Sequence, residues 1–335
     1  MDTMKAVWMT RAGGPEVLQI QSVPRPSPAA GEVLVKVCAS ALNRADLLQR
    51  QGRYPAPPGF PQEIPGIEFA GEVAATGPMA QMWKPGQRVF GLIGGGAHAE
   101  YVVTHERLLA EVPEALTWAD AAAIPEAFIT AHDALWKQAR LRPGETVLVH
   151  AVGSGVGLAA VQLARAIQAV PYGTSRTADK LDQARPCGLE AGVVVQNDST
   201  ESLDAMVATA AQWTSAKGIN VVLDLVGGAY VKASQKLLAV RGRLMLVGSV
   251  AGGSYELDSR FVMGRRLQII GTVLRARDLE EKIQVTRAFA AEVVPLLATG
   301  TIRANIDSKF KMPEIAQAHE RLESNRTFGK VVVEW

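Results

Sequence analysis

A glycine-rich turn is the feature of this sequence that points most clearly to chemistry. An apolar, mostly β-branched run at residues 146–149 leads into a glycine turn at residues 153–157, and an Ala/Leu-rich segment with helical spacing follows at residues 158–167. Strand, glycine turn and helix in this order form a phosphate-binding loop, because small residues let the backbone approach a pyrophosphate and the helix offers unpaired N–H groups. The expected dinucleotide contacts in this turn are Gly153, Ser154, Gly155, Val156 and Gly157.

The residues after the second predicted strand bear on which dinucleotide binds. An NAD site usually carries an acid about 20 residues after the first glycine. Here the strand at residues 169–172 is followed by GTSRT, and no acid appears before Asp179. Arg176 can hold a 2′-phosphate with its planar guanidinium, and Ser175 and Lys180 could assist. The sequence therefore favours NADPH over NADH, the alternative being that Arg176 is an ordinary solvated loop residue.

Composition restricts the class of protein. The 335 residues suffice for two domains, and 48% hydrophobic with 20% charged residues is typical of globular chains. A net charge of +2 argues against a nucleic-acid or membrane partner. The two cysteines, Cys38 and Cys187, form no CxxC pair, which argues against a disulfide scaffold and favours reduced thiols in a cytoplasm. Residues 1–5 lack the apolar core of a signal peptide.

The elements that would position these residues fall into two patterns. The first third is β-rich with proline-rich loops, and strands are predicted at residues 32–37, 86–92 and 100–103, with a short helix at 41–50. Strands then alternate with helices at 146–150, 169–172, 192–195, 220–225, 243–247 and 267–270. This alternation predicts an α/β fold with a doubly wound parallel sheet. Helices at 279–297 and 313–324 and a last strand at 330–334 complete the chain.

Six motifs together resemble one known superfamily. They are ASALNRAD at 39–46, PGIEFAG at 65–71, KPGQRV at 84–89, AAAIPE at 121–126, LDLVGG at 223–228 and FGKVV at 328–332. With the glycine turn, they make the chain similar to the zinc-free quinone oxidoreductase branch of the medium-chain dehydrogenase/reductase superfamily. Within that branch, residues 43–51 followed by Gly52, Arg53 and Tyr54 most resemble the tumour-suppressor-induced type.

The resemblance implies a domain organisation. It predicts a GroES-like β-rich catalytic domain formed by residues 1–126 and 271–335, and a Rossmann NADPH-binding domain at residues 127–270. Members of the branch are commonly homodimers joined through edge strands of the nucleotide domain, and residues 243–250 match that segment.

The resemblance also implies that no metal is bound. The zinc-dependent alcohol dehydrogenases of the superfamily have a cysteine ligand where this chain has Asn43 and a histidine ligand where it has Ile67. Their four-cysteine lobe would follow Val89, where none is present. Alcohol oxidation needs a Lewis acid, whereas reduction of a conjugated acceptor needs only hydrogen-bond donors for the developing oxyanion.

Four residues are candidates for contacts with the acceptor or the nicotinamide. Asn43 carries an amide donor, the alternative being a turn residue with a local backbone bond. Tyr54 could donate to a carbonyl or stack on a quinone, or could be an ordinary loop tyrosine. Thr130 resembles the family threonine near the nicotinamide, or is a hydroxyl inside a helix. Lys330 could face the site or be solvated.

Other polar residues carry weaker expectations. The histidines, His98, His105, His132, His150 and His319, are scattered without metal spacing, so surface or packing roles are expected. The branch often has a tyrosine near the 2′-phosphate, and this chain has Gln196 and Asn197 there.

Three functions are compatible with these observations. The favoured one is NADPH-dependent, metal-free hydride transfer to a quinone. The alternatives are a reductase of activated alkenes (a 2-alkenal or enoyl thioester), using the same pocket, and a non-catalytic, crystallin-like NADPH-binding protein.

Overall fold

The chain folds into two compact units. A computed structural model describes residues 2–335. Unit 1 consists of the residues up to Ile129 together with Leu274–Trp335, and unit 2 is Thr130–Val273. Residues 127–129 therefore belong to unit 1 and residues 271–273 to unit 2, although the sequence prediction placed each segment in the other domain.

Strands and helices alternate in unit 2, whereas strands predominate in unit 1. The strands are β1 (Thr3–Met9), β2 (Leu18–Pro24), β3 (Glu32–Leu42), β4 (Glu68–Thr76), β5 (Arg88–Leu92), β6 (Tyr101–His105), β7 (Leu109–Glu111), β8 (Thr146–Val149), β9 (Val170–Ser175), β10 (Ala191–Val194), β11 (Ile219–Asp224), β12 (Leu238–Leu246), β13 (Gln268–Gly271), β14 (Ile306–Lys311) and β15 (Lys330–Glu334). The α-helices are α1 (Arg44–Arg50), α2 (Trp118–Ala122), α3 (Pro125–His132), α4 (Gly155–Ala166), α5 (Ala178–Ala184), α6 (Thr200–Trp213), α7 (Ala229–Leu237), α8 (Ser259–Arg265), α9 (Leu279–Glu292), α10 (Val294–Ala298) and α11 (Ile315–Glu323).

Unit 1 is built on a seven-stranded sheet. Its order is β14-β15-β3-β4-β5-β7, and β6 also pairs with β3. Every pair is antiparallel except β14 with β15. Alternate residues Val33, Val35 and Val37 of β3 are buried with Phe69 and other apolar side chains, the period expected for one face of a strand. The central position of β3 brings the ends of β4 and β15 beside its own end, where the polar site lies.

Unit 2 is a parallel six-stranded sheet with the order β10-β9-β8-β11-β12-β13. Counted within the unit, this is the 3-2-1-4-5-6 order of a Rossmann fold. Val147, Leu148 and Val149 of β8 are fully buried, as expected for a central parallel strand covered on both faces. The α/β class and the two sheet types predicted from the sequence are confirmed.

Two predicted helices have different limits. The segment predicted as one helix at 279–297 is two, α9 and α10, because Pro295 has no N–H to continue the helical ladder. The helix predicted at 41–50 begins only at Arg44, since β3 continues to Leu42 and Asn43 keeps extended dihedrals (φ −132°, ψ 162°) as the N-cap.

The segment expected at a dimer edge is interior to the sheet. Residues 243–246 belong to β12, which hydrogen-bonds β11 on one side and β13 on the other. Its backbone groups are therefore already paired, and the expectation that residues 243–250 form an edge strand is wrong. The edge strands of this sheet are β10 and β13.

Candidate functional site

The glycine turn of unit 2 has the geometry of a phosphate-binding loop. Ala151, two residues after the end of β8, adopts a positive φ of 52°. Ser154 is the N-cap of α4, and its Oγ accepts a hydrogen bond from the Gly157 N–H at 3.1 Å. A Cβ on Gly157 would lie 2.7 Å from the carbonyl oxygens of Ala151 and Val152, so only glycine allows the helix to begin this close to the strand.

The expected 2′-phosphate contacts lie at the same edge of the sheet. The Val152 N–H donates to the Thr174 carbonyl at 2.9 Å, which ties the turn to the end of β9. Ser175 ends that strand and is buried, while Arg176 follows it and is exposed. Among residues 2–335 no hydrogen bond or ion pair engages the Arg176 guanidinium, so its donors are available to an anion.

Two further positions complete this edge. Lys180 lies in the first turns of α5 and is half-buried. Asn197 uses its Oδ1 to accept the Ser199 N–H at 3.1 Å, a local turn bond.

Thr130 of α3 is 7% exposed, and its Oγ1 has no hydrogen-bond partner within the described chain. An unpartnered buried hydroxyl is uncommon, which is consistent with a polar ligand completing its bonding.

These observations test whether unit 2 fits a dinucleotide. Four features fit a phosphorylated dinucleotide: the tight glycine turn, the first-turn N–H groups of α4 that Ser154 leaves free, the unpaired Arg176 and the unpartnered Thr130 hydroxyl.

In unit 1 a buried polar cluster lies where β3 ends and where β4 and β15 begin. Glu68 is fully buried, and its Oε1 accepts hydrogen bonds from Lys330 Nζ at 2.6 Å and Asn43 Nδ2 at 2.8 Å. Lys330 Nζ also donates to Asn43 Oδ1 at 2.5 Å and to the Leu42 carbonyl at 2.9 Å. Burial raises the pKa of Glu68, and the Lys330 ammonium and the N–H donors oppose that rise.

The contacts in this cluster show whether Lys330 is solvated and how the Asn43 amide is bonded. Lys330 is only 5% exposed, so it is not a solvated lysine. The Asn43 amide is held at both ends, and its second N–H points to the Ala41 carbonyl at 3.4 Å. A direct bond from Asn43 to an acceptor would therefore compete with Glu68, and the geometry favours Asn43 as a residue that positions the other two.

Asp46 holds the backbone around the cluster. Its Oδ2 accepts the Asn43 N–H at 2.7 Å, and its Oδ1 accepts the Gly66 N–H at 2.9 Å. Gly66 has a φ of 98°, and a Cβ there would collide with His98. This one carboxylate fixes both the start of α1 and the turn before β4.

Glu126 is the second carboxyl at this site. Its backbone N–H donates to Glu68 Oε2 at 2.7 Å, and its side chain is half-buried at the start of α3. Burial, the neighbouring Glu68 charge and, less strongly, Asp46 raise its pKa to about 8, opposed by Lys330 and Arg275. Within the described residues, the Glu126 carboxyl has no hydrogen bond or ion pair.

Tyr54 and Arg275 form a stacked pair in the same unit. The guanidinium carbon of Arg275 lies 4.8 Å from the centre of the Tyr54 ring. Arg275 donates to Gln49 Oε1 at 2.6 Å, to the Gly94 carbonyl at 2.8 Å and to the Tyr54 carbonyl at 3.3 Å. These bonds fix the cation under the ring, so the half-buried tyrosine has a defined orientation.

A mostly apolar cavity lies beside this pair. Its cationic lining residues are Arg275 and Lys282, and Lys282 Nζ stands 6.0 Å from the centre of the Phe60 ring. The apolar wall includes Leu92, Ile93, Ile129, Leu274 and Val285. Burial lowers the pKa of Lys282. Apolar walls with a few placed polar groups are usual for small-molecule sites.

The buried histidines have packing roles. His150 bonds Thr174 Oγ1 at 3.1 Å and Ser234 Oγ at 2.9 Å, and burial lowers its pKa. His98 bonds Ser40 Oγ at 2.8 Å, and burial lowers its pKa to about 3. Burial thus disfavours the charged form of both imidazoles. The described residues contain no group of three or more His, Cys, Asp or Glu side chains placed to hold a metal ion.

The structure adds site residues that the sequence did not single out. Glu68 and Glu126 lie inside quoted motifs, PGIEFAG and AAAIPE, but nothing local showed that the two meet. Arg275 and Lys282 belong to no recognised motif. Their contacts with Tyr54 and Phe60 span more than 200 residues of sequence, beyond any periodicity argument.

Comparisons with known proteins agree with this architecture. Residues 29–114 match the family model for the alcohol dehydrogenase GroES-like domain, and residues 189–333 match the zinc-binding dehydrogenase model. The quinone oxidoreductase of Lama guanicoe is 34% identical over 340 residues, covering 98% of this chain and 97% of the relative.

Two solved structures are similar along the whole chain. A mycobacterial protein solved in complex with NADPH superimposes with a TM-score of 0.88 at 29% identity, covering 99% of this chain and 100% of that one. An NAD-dependent alcohol dehydrogenase gives a TM-score of 0.86 at 31% identity, covering 99% of this chain and 100% of that one.

No helix among residues 2–335 is both long and apolar enough to cross a bilayer. The chain belongs to the medium-chain dehydrogenase/reductase superfamily, in its quinone oxidoreductase type, a family of NAD(P)-dependent oxidoreductases.

Proposed function

We propose that this protein is an NADPH-dependent quinone reductase that works without a metal. The observation that carries the proposal is the buried Lys330–Glu68 ion pair closed by Asn43. The resemblance implies that the zinc-dependent alcohol dehydrogenases have metal ligands at the positions of Asn43 and Ile67. In this chain Asn43 bonds to the Glu68–Lys330 pair, and Ile67 is a core side chain that is 3% exposed.

Unit 2 would hold the cofactor. The glycine turn and the α4 N-terminus would bind the pyrophosphate, and Arg176, with Ser175 and Lys180, would bind the 2′-phosphate. The Thr130 hydroxyl would bond the nicotinamide carboxamide. When bound, reduced nicotinamide supplies a hydride to the acceptor.

Unit 1 would hold the acceptor. The Tyr54 ring, fixed over Arg275, offers a flat face for a planar acceptor and a phenol that can donate to its carbonyl. The apolar cavity beside Arg275 would take the hydrocarbon part of that acceptor and exclude water. The protein's part is thus orientation of two planar partners, and donors for the developing oxyanion.

Steady-state oxidation of NADPH and NADH against quinones, 2-alkenals and enoyl-CoA thioesters, with and without a chelator, tests this proposal. We expect quinone turnover that prefers NADPH and is unaffected by the chelator. Efficient alkenal or thioester reduction without quinone activity would support the alkene reductase instead. Tight NADPH binding without turnover of any acceptor would support a non-catalytic binding protein.

The proposal includes a homodimer. Sedimentation equilibrium checks the homodimer independently of activity. A monomer at all concentrations would contradict the homodimer and leave the proposed activity unaffected.

A further inference from the structure

We propose that Glu126 is the general acid that protonates the reduced acceptor, with Glu68 and Lys330 holding it in place. This inference rests on the proposed reductase function. In the overall reaction, a reduced nicotinamide dinucleotide gives up a hydride and a conjugated carbonyl acceptor gains it. One proton is still needed to neutralise the oxyanion or enolate formed. The structure supplies a carboxyl group placed to give that proton.

The position of Glu126 is set by two contacts. Its backbone N–H is held by Glu68 Oε2 at 2.7 Å, and the other oxygen of Glu68 is anchored by Lys330 at 2.6 Å. The carboxyl of Glu126 has no hydrogen-bond partner among the residues described, whereas the side chains of Glu68, Asn43 and Lys330 are bonded to one another. A residue that is held through its backbone N–H, and whose carboxyl makes no other hydrogen bond, can bond a bound acceptor transiently.

Glu126 also lies next to the candidate acceptor cavity. Ile129, one turn further along α3, lines the cavity, and so does Arg275, whose charge acts on the Glu126 carboxyl. Side chains three residues apart share one face of a helix. The side chain is half-buried, so it remains in contact with solvent, from which it can be reprotonated.

The surrounding charges keep the carboxyl protonated near neutral pH. The charged groups that act on it are Glu68 of β4, Asp46 of α1, Lys330 of β15, and Arg275. Burial and the two carboxylates outweigh the two cations, and the resulting pKa of about 8 lies close to the working pH, where a general acid is most efficient. In the step itself the Glu126 O–H bond breaks and an O–H or C–H bond forms on the acceptor, leaving a carboxylate that takes a proton from water.

Two measurements test this inference, one of them without turnover. In the ligand-free protein, infrared spectroscopy should detect the C=O stretch of a protonated carboxyl that disappears as the pH rises through about 8. Glu126→Gln should remove that titration. Glu114→Gln, which neutralises an exposed glutamate of the same unit, should leave it unchanged.

In steady state, kcat for the acceptor should fall above about pH 8 in the wild type. Glu126→Gln should lower kcat about 10²-fold and remove that fall, whereas Glu126→Asp should restore part of the rate together with the pH dependence. A Glu126→Gln variant that keeps the wild-type rate and pH profile would overturn the acid role of Glu126 and leave the proposed reductase function standing. A wild type that reduces no acceptor would overturn the proposed function, and the acid role with it.

Discussion

Removing the Lys330 cation should cost unit 1 much of its stability. Its Nζ contacts Glu68 Oε1 at 2.6 Å, and the two residues are 5% and 0% exposed. Deleting one partner of such a pair leaves an uncompensated buried charge and typically costs about 3–5 kcal/mol. We therefore expect Lys330→Met to destabilise unit 1 by about 3–5 kcal/mol, a large share of the total stability of a typical domain.

The loss should depend on pH and on Glu68. Without the cation, the folded-state pKa of Glu68 lies further above its unfolded value, so stability is retained at low pH and lost as the pH rises through the folded pKa. The destabilisation of Lys330→Met should therefore be greater at pH 8 than at pH 5. Adding Glu68→Gln removes the unpaired charge, and the double variant should recover about 0.5–3 kcal/mol, the coupling typical of residues in direct contact.

Hydrogen exchange read by mass spectrometry is the appropriate assay, because a chain of two units need not unfold in one step. Peptides from β3, β4 and β15 report on the cluster. The matched control is Lys311→Met, which breaks the exposed Lys311–Glu334 pair at 3.1 Å and should cost less than about 1 kcal/mol. If Lys330→Met costs no more than this control, or if the double variant is no more stable than the single one, the reasoning is refuted.

Four shorter predictions follow from the same geometry. Arg176→Ala should weaken NADPH binding by about 1.5–3 kcal/mol, roughly 10–150-fold, and leave NADH binding nearly unchanged, as titration calorimetry can measure. Gly157→Ala should weaken binding of both dinucleotides and lower the melting temperature of unit 2, because the added Cβ meets two carbonyl oxygens at 2.7 Å. Since the folded pKa of Glu126 is about 8 against an ordinary 4.5, stability should fall as the pH rises between these values, by less than about 5 kcal/mol, and Glu126→Gln should reduce that slope when unit 1 is followed by hydrogen exchange. Metal analysis of the active, purified protein should find less than stoichiometric zinc, and a required equivalent of zinc would contradict the metal-free proposal.

Local sequence signals predicted the nucleotide unit well. The β8 strand, the glycine turn and α4 are consecutive in the chain, so their identity follows from propensity and spacing alone. The strand limits differed by one to three residues in most cases, while β12 begins at Leu238, five residues before the predicted start. Its early residues, around Arg241 with φ 62°, carry no clear alternation.

The unit 1 site was predictable only in part. Asn43 and Tyr54 stood out by their residue types, but the burial of Lys330 could not be inferred, because a lysine usually remains solvated unless a distant carboxylate is brought to it. Glu68 lies 262 positions earlier in the chain, and only the pairing of β15 with β3 and of β3 with β4 joins them. Strand order across such separations is tertiary information, and no local pattern encodes it.

The order in which the chain leaves the ribosome has a consequence for unit 1. Unit 2 is one uninterrupted stretch, whereas the large sheet of unit 1 needs β15, which inserts between β14 and β3. During synthesis the nucleotide unit can therefore complete its fold while residues 39–42 of β3 still lack the strand that pairs with them. Nascent chains stalled before residue 330 should accordingly engage chaperones through unit 1 and not through unit 2.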